Sequence, residues 1–306
     1  MSRISPDITV LLPVHNGERF LSEQLDSIIS QTYENWRIVM RDDGSTDGSA
    51  AIMLRYSNEF PDRIEIVESD NRNLGAAASF SLLMQYALGT KPGEKSEPSL
   101  IALSDQDDIW NREKLEVQVA ALLGADHDGD LPLLVHSDLR VVDANLNTIA
   151  GSFIDYHGLT PRRNTFRRSL VVNSVTGSTT VFNETLARKA LPVPGDAVMH
   201  DWWLSLVALA FGSVVYLDRT LVDYRQHEAN VSGAKKHLKG NPLNLRRLFD
   251  TSNADNIAAA GVQARAFRER YAADLDKWQN TQCRRAERMS RHHPALQKIL
   301  NRLFRF

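Results

Sequence analysis

The chain has 306 residues, 42% apolar and 24% charged, a composition that excludes a disordered or fibrous protein. Its one cysteine, Cys283, excludes an intrachain disulfide framework and a cysteine-built zinc site. The formal net charge of −2 hides two opposed parts: residues 1–234 carry 20 Lys and Arg against 32 Asp and Glu, and residues 235–306 carry 16 against 6.

In chain order, Ile8–Leu12 is a continuous β-branched and apolar run that stops at Pro13, as a strand buried on both faces does. Asn16 and Gly17 make a loop, and Phe20, Leu21, Leu25, Ile28 and Ile29 recur at helical spacing. Arg37–Met40 predicts a second strand, ending at Asp42-Asp43-Gly44-Ser45, and a capped helix follows through Tyr56. Ile64–Val67 predicts a third strand, Leu74–Leu88 a helix, Lys91–Pro98 a polar loop and Leu100–Leu103 a fourth strand. Regular alternation of this kind predicts a doubly wound, mostly parallel sheet with helices on both faces. Ligands of such sheets bind beyond the carboxyl ends of the strands. Pro13–Gly17, Asp42–Ser45 and Asp105–Asp108 all follow strands, so all three are expected at one crevice.

The second half is less regular. Leu133–His136, Arg140–Val142, Ser178–Phe182 and Val214–Leu217 read as strands and His200–Ala210 as a helix. Beyond Gly233 strand signals stop; Asn256–Asn280 predicts one helix and Pro294–Phe306 a basic amphipathic one. The expected organisation is one α/β domain over 1–233, in two halves over 1–110 and 111–233, then a helical basic extension over 234–306. The first residues lack a signal-peptide pattern, and the apolar stretch 204–217 is interrupted and too short to span a bilayer, so the expected location is cytoplasmic. The basic tail suits an anionic inner membrane face, an acidic partner or its own acidic body, and no nucleic-acid motif accompanies it.

Three carboxylates within Asp105-Gln106-Asp107-Asp108 repel one another unless a cation sits among them. Their hard oxygens suit Mg²⁺ or Mn²⁺, which bridge to substrate phosphates. The alternative is a solvated loop with Asp108 capping the next helix. Asp42 and Asp43 offer acceptors for a base N–H, with Gly44 permitting close backbone approach; a tight turn explains them equally. Asp201, opening an apolar helix, reads as a general base or as an N-cap, and Trp202 and Trp203 as sugar-stacking rings or as core. Arg225 is a candidate phosphate partner and His227 a candidate metal ligand or a structural histidine.

The ordered set Pro13-Val14-His15-Asn16-Gly17, Arg41-Asp42-Asp43-Gly44-Ser45, Asn73-Leu74-Gly75, Ser104-Asp105-Gln106-Asp107-Asp108-Ile109-Trp110, His200-Asp201-Trp202-Trp203 and Arg225-Gln226-His227 resembles glycosyltransferase family 2. The SDQDDIW, HDWW and YRQH segments are most similar to its bacterial rhamnosyltransferase-like members, and the likeness covers residues 7–233. The resemblance implies a GT-A, Rossmann-like fold and an inverting, metal-dependent transfer of one sugar from a UDP- or dTDP-type donor to a saccharide or lipid-linked acceptor. It implies that Pro13, His15 and Asp43 border the base and ribose, with Asn16, Asp42 and Gly75 beside them and Arg225 at the diphosphate. Asp105 reaches the ribose or the metal, Asp107 is the main metal ligand, His227 completes that site and Asp201 is the base. Asp108, Trp110, Asn173, Gly177, Ser178, Thr179, Trp202 and Trp203 are expected on the sugar and acceptor side. The family usually carries Tyr where this chain has His15. The Gln-x-x-Arg-Trp signature of processive members is absent, which points to single addition.

Two other readings are a sugar nucleotidyltransferase and a non-catalytic carbohydrate-binding protein on the same fold. The first normally has a Gly-rich, basic loop after its first strand, and residues 13–19 hold one Gly and no such run. The second has no physical reason to keep a crowded carboxylate cluster.

Overall fold

A computed structural model describes residues 6–89, 100–125, 130–227 and 254–289. The strands are β1 (Ile8–Val14), β2 (Trp36–Asp42), β3 (Ile64–Ile66), β4 (Leu100–Leu103), β5 (Ile109–Trp110), β6 (Leu133–Asp143), β7 (Thr148–Ala150), β8 (Thr180–Asn183) and β9 (Ser213–Gln226). They join one sheet in the order β3-β2-β1-β4-β8-β6-β9-β5, with β7 paired to β6. The expected parallel half is present: β3, β2, β1 and β4 run parallel, with Val10 opposite both Ile38 and Ala102. The other half is mixed, because β8 is antiparallel to both β4 and β6, β9 is parallel to β6, and β5 is antiparallel to β9.

The apolar run of β1 is continuous because both of its faces are covered. Leu11 faces one core with Val39, Ile101 and Leu103; Val10, Leu12 and Val14 face the other with Ile38 and Met40. Helices α1 (Leu21–Ile29), α2 (Ser49–Glu59), α4 (Lys114–Ala125) and α5 (Phe153–His157) supply residues to the second core. The first core is filled from α3 (Ala76–Gly89), α6 (Phe166–Ser169), α7 (Glu184–Ala190), α8 (His200–Phe211), α9 (Ala254–Arg270) and α10 (Lys277–Met289).

Several element boundaries differ from expectation. The strand expected over Val214–Leu217 runs over Ser213–Gln226 as β9. The two short strands at 133–136 and 140–142 are one strand, β6, whose register shifts at Asp138. The buried Asp138 carboxylate accepts Leu139 N (2.8 Å) at the shift and Ile154 N (3.2 Å) and Ser152 Oγ (2.5 Å) at the start of α5, which ties the two together. Residues 177–179 form a 3₁₀ turn, not strand. The single helix expected over 256–280 is two, and the break is chemical. Asp276 Oδ1 accepts Gln279 N (2.7 Å) while Gln279 Oε1 accepts Asp276 N (3.0 Å), a reciprocal capping box that starts α10 afresh. The helix expected over Pro294–Phe306 lies outside the described residues.

The described part of the basic tail docks through apolar contact. Ile257, Ala260, Ala264, Phe267, Tyr271, Cys283, Ala286 and Met289 are buried in the same core as α8. The Phe267 ring meets Trp203 edge-on at 5.3 Å and Phe166 at 5.6 Å. Charge adds the Lys189–Asp274 pair at 3.0 Å, half in solvent, where such pairs stabilise little. Phe267→Ala therefore opens a cavity at the point where α6, α8 and α9 meet. We expect a loss of about 3–5 kcal/mol in a urea unfolding curve.

Candidate active site

The crevice lies beyond the carboxyl ends of β1, β2 and β4, and its first wall is the loop after β1. There the His15 ring is fixed at both nitrogens: Nδ1 is 3.0 Å from Asp43 O, and Nε2 is 3.1 Å from the Asn73 amide nitrogen. These partners assign the proton to Nδ1. Asn16 is in the left-handed region (φ 52°), its amide N donating to Ser45 Oγ and its side-chain oxygen accepting Thr46 N at 2.8 Å. Asp42 accepts Ser45 N at 3.0 Å. Asp43 is buried and accepts Leu74 N (2.9 Å), Gly75 N (2.9 Å), Ser79 Oγ (2.7 Å) and the Arg41 guanidinium. Burial alone raises its pKa, but these four donors outweigh it and hold the carboxyl below the usual range. Asp43 thus organises the 73–75 loop with most of its lone pairs, and β1 runs one residue beyond Pro13, which pairs with Arg41 past the last β4 pairing, to Val14, whose O accepts Asp43 N at 2.7 Å.

The carboxylate loop between β4 and β5 is latched to this wall. Gln106 Oε1 accepts His15 N at 2.7 Å and its Nε2 donates to His15 O at 2.9 Å, so one side chain pairs with backbone as a strand would. A Cβ on Gly17 would stand 2.7 Å from Gln106 Oε1, which explains the glycine there. From the far edge of the sheet, β9 delivers His227, whose Nε2 is 2.9 Å from Asp107 Oδ2 and whose ring packs on Phe20 at 4.8 Å. Asp105 stands between the two halves of the crevice. Burial first, then the charges of Asp107 and Asp201, push its carboxyl up to about 7.

Asp201, in the first turn of α8, is buried, and burial raises its carboxyl to about 6. Its oxygens accept Trp202 N (2.5 Å), Gly177 N (3.0 Å) and Asn173 Nδ2 (3.3 Å). Gly177 can approach because it has no side chain: a Cβ there would be 2.9 Å from His200 Nε2. Asn173 and Gly177 therefore serve the carboxylate itself.

Several expected contacts are corrected. Trp203 is fully buried, with Nε1 donating to Ala190 O, and Trp202 Nε1 donates to Ser169 O; both rings are core and neither is a sugar platform. Trp110 is buried beneath the Lys114 ammonium at 3.8 Å. Asp108, Ser178 and Thr179 are also closed off from the crevice by burial. Arg225 is not turned toward a phosphate. Its guanidinium donates to Asp107 O (2.9 Å), Ala144 O (2.9 Å) and Glu23 Oε2 (2.7 Å) and stacks on Phe20 at 4.4 Å, so it braces the carboxylate loop. The bracing roles of Gln106 and Glu23 escaped sequence reading, since only the fold brings their partners near, and that of Arg41 escaped it although Asp43 is two residues away.

The raised carboxyls carry a stability consequence. An ordinary Asp carboxyl titrates at 3.8, while Asp105 and Asp201 in the fold titrate near 7 and 6. Between these values the folded chain binds more protons than the unfolded chain, so metal-free stability falls as pH rises from about 4 to 7. In thermal melts across that window, Asp105→Asn is expected to flatten the fall.

The pattern of Glycosyl transferase family 2 matches residues 9–191. A putative glycosyltransferase, EpsE of Bacillus subtilis, is 36% identical over 117 residues, 38% of either chain. A UDP-Glc:alpha-D-GlcNAc-diphosphoundecaprenol beta-1,3-glucosyltransferase, WfgD of Escherichia coli, is 27% identical over 76% of this chain and 82% of its own. A dTDP-rhamnosyl transferase, RfbG of Shigella flexneri, is 29% identical over 74% and 75%. The crystal structure of S. aureus TarS 1-349 in complex with UDP-GlcNAc superposes with a TM-score of 0.56 at 15% identity, covering 98% of this chain and 90% of that one. Its sheet order, its helical cover and this match place the fold as GT-A, and the chain belongs to glycosyl transferase family 2.

Proposed function

We propose that the chain is an inverting, divalent-cation-dependent glycosyltransferase that adds one sugar from a UDP- or dTDP-linked donor to a hydroxyl of a saccharide or lipid-linked saccharide. The observation that carries this reading is the convergence of Asp105 and Asp107, from the loop after β4, with Asp201, from the first turn of α8, and with His227 on Asp107. The relatives' names support the finer choices: one carries a glucosyl donor and a diphosphoundecaprenol acceptor, the other a dTDP-rhamnosyl donor. Rhamnose is the donor sugar we favour, on the SDQDDIW, HDWW and YRQH likeness.

Among the described residues no group of three His, Cys, Asp or Glu side chains stands ready to ligate a metal. The Asp107 oxygen and His227 nitrogen nevertheless fit a cation that takes few protein ligands and fills its shell with water and diphosphate oxygens, as Mg²⁺ and Mn²⁺ do. Asp105 is a second carboxylate, near enough to feel the charge of Asp107. When bound, such a cation neutralises the diphosphate and stabilises it as a leaving group. In the proposed step the acceptor oxygen attacks the anomeric carbon opposite the diphosphate. The new C–O bond forms as the bond to the diphosphate breaks, and Asp201 takes the hydroxyl proton. A base whose pKa burial has raised to about 6 is deprotonated at neutral pH yet basic enough to accept that proton. Asn173 and Gly177 hold the carboxylate that receives it.

The test is titration with UDP, dTDP and GDP, with and without Mn²⁺, beside turnover of the corresponding sugar nucleotides. Metal-dependent binding of one nucleotide is expected, weakened at least tenfold in Asp107→Ala. Asp201→Asn is expected to keep that binding while turnover drops by roughly 10²–10⁴. No nucleotide binding under any metal condition would sink the transferase reading.

We also propose peripheral contact with an anionic membrane through residues 235–306. No helix among the described residues is long and apolar enough to cross a membrane. Arg284, Arg285 and Arg288 are exposed on α10, and Trp278, 52% exposed, stands at its start. Arg268, Arg284 and Arg288 share a cleft of about 330 Å³ with Glu287. Basic side chains beside an amphipathic ring suit an anionic headgroup layer. Replacing Arg284, Arg285 and Arg288 by Ala should weaken co-sedimentation with phosphatidylglycerol vesicles roughly 10²-fold, at about 1 kcal/mol per Arg. Equal sedimentation would remove the idea.

A further inference from the structure

Helix α4 buries a polar pair that the apolar pattern of its core face does not explain. Leu115, Val119 and Leu122 on that face are buried, and so, fully, are Lys114 and Gln118, one turn apart. Burying an ammonium and an amide costs stability unless each meets a partner, and a helix this apolar could have filled both places with Leu. What they meet lies on the Asp105–Asp108 loop with its β5 continuation and on the 177–179 turn that donates to Asp201.

At one end, the Lys114 ammonium makes no hydrogen bond among the described residues; it sits 3.8 Å above the Trp110 ring and feels the charge of Asp108. Asp108 closes the carboxylate loop, and its Oδ1 accepts Arg225 N at 3.2 Å, so it also joins that loop to β9, two residues before His227. At the other end, Gln118 Nε2 donates to Thr179 O at 2.5 Å. Thr179 is the last residue of the turn whose Gly177 N–H binds Asp201, and the turn is closed by Thr179 N to Thr176 O at 3.0 Å and Thr180 Oγ1 to Gly177 O at 2.7 Å. One helical turn of α4 thus spans from the Asp105–Asp108 loop to the seat of Asp201. Neither Lys114 nor Gln118 reaches the crevice.

We infer that Lys114 and Gln118 are positioning residues, a strut on α4 that sets the separation between the carboxylate loop and the turn holding Asp201. The inference rests on the transferase reading above for the meaning of that separation. The physical argument is one of stiffness. Asp105 feels both Asp107 and Asp201, so the carboxylates repel across the crevice, and each loop by itself is short irregular backbone. A helix, unlike either loop, holds two side chains one turn apart at a fixed spacing. The strut is also divided: Lys114 acts on the carboxylate loop, where diphosphate and cation are proposed to sit, and Gln118 acts on the Asp201 turn, where the proton is proposed to go.

That division gives the test, made on the full chain with near-isosteric Lys114→Met and Gln118→Met. Gln118→Met is expected to lower kcat about tenfold or more while Mn²⁺-dependent UDP or dTDP affinity and donor KM stay within about twofold. Lys114→Met is expected to raise donor KM and weaken that nucleotide binding at least fivefold. A residue that only supports the core would lower the melting temperature and leave kcat and KM of the folded protein unchanged. Amide exchange supplies a readout that needs no turnover: Gln118→Met should deprotect residues 176–179, and Lys114→Met residues 105–110. Wild-type exchange in both segments for both variants overturns the strut, and so does wild-type kcat and KM in both. If the wild-type chain turns over no sugar nucleotide, the transferase reading falls, and the exchange pattern still decides whether α4 holds the two loops.

Discussion

Everything around the crevice answers to one electrostatic constraint: Asp107 and Asp201 are brought close enough to Asp105 for their charges to raise its proton affinity. Carboxylates so placed push their loops apart, and burial adds to the cost of keeping them ionised. The structure holds them by fixing the backbone on either side. Gln106 pairs with the backbone of His15, Arg225 grips Asp107 O from β9, and Gly177 and Asn173 give Asp201 its donors. These are hydrogen bonds to charged groups or from buried ones, stronger than the average and costly to leave unmade.

The fold makes that bracing available through the change of direction in its sheet. The parallel half, β3-β2-β1-β4, ends its strands at the loops that carry His15, Asp43 and Asp105. The mixed half brings β9 back with Arg225 and His227, and β5 pairs with β9 at Ile109 and Asp223, so the carboxylate loop is enclosed between β4 and a strand from the end of the domain. Residues far apart in sequence therefore meet across a loop only a few residues long. The C-terminal helices support the helix of Asp201 from behind: Phe267 and Tyr271 pack on Trp203, two residues along α8 from Asp201.

Much of this was legible in the sequence where the signal is local. Continuous apolar runs marked β1, β2 and β4, and the polar clusters after them marked the crevice, because buried strands and ligand-facing loops differ sharply in composition. The same locality misled at the tryptophans. Trp110, Trp202 and Trp203 sit beside charged residues in the chain, but their rings point into the two cores, and which face a side chain takes is set by packing and not by its neighbours' charge. The Asp276–Gln279 capping box is written in the sequence too, yet an apolar pattern running through it conceals the break.

The sequence by itself determined the family, the alternation of strand and helix, and which loops carry carboxylates, since each of these is set by residues within a few positions of one another. Tertiary structure decided the rest: that β6 and β9 are long strands with a bulge, that Arg225 is a brace and not a phosphate ligand, that Asp201 is held by Gly177 and Asn173, and that Lys114 and Gln118 face two loops at once. Each depends on which groups desolvate together. Burial and pairing are properties of the packed chain, so a residue type alone does not reveal whether an arginine or an aspartate has its hydrogen bonds filled by substrate or by the protein.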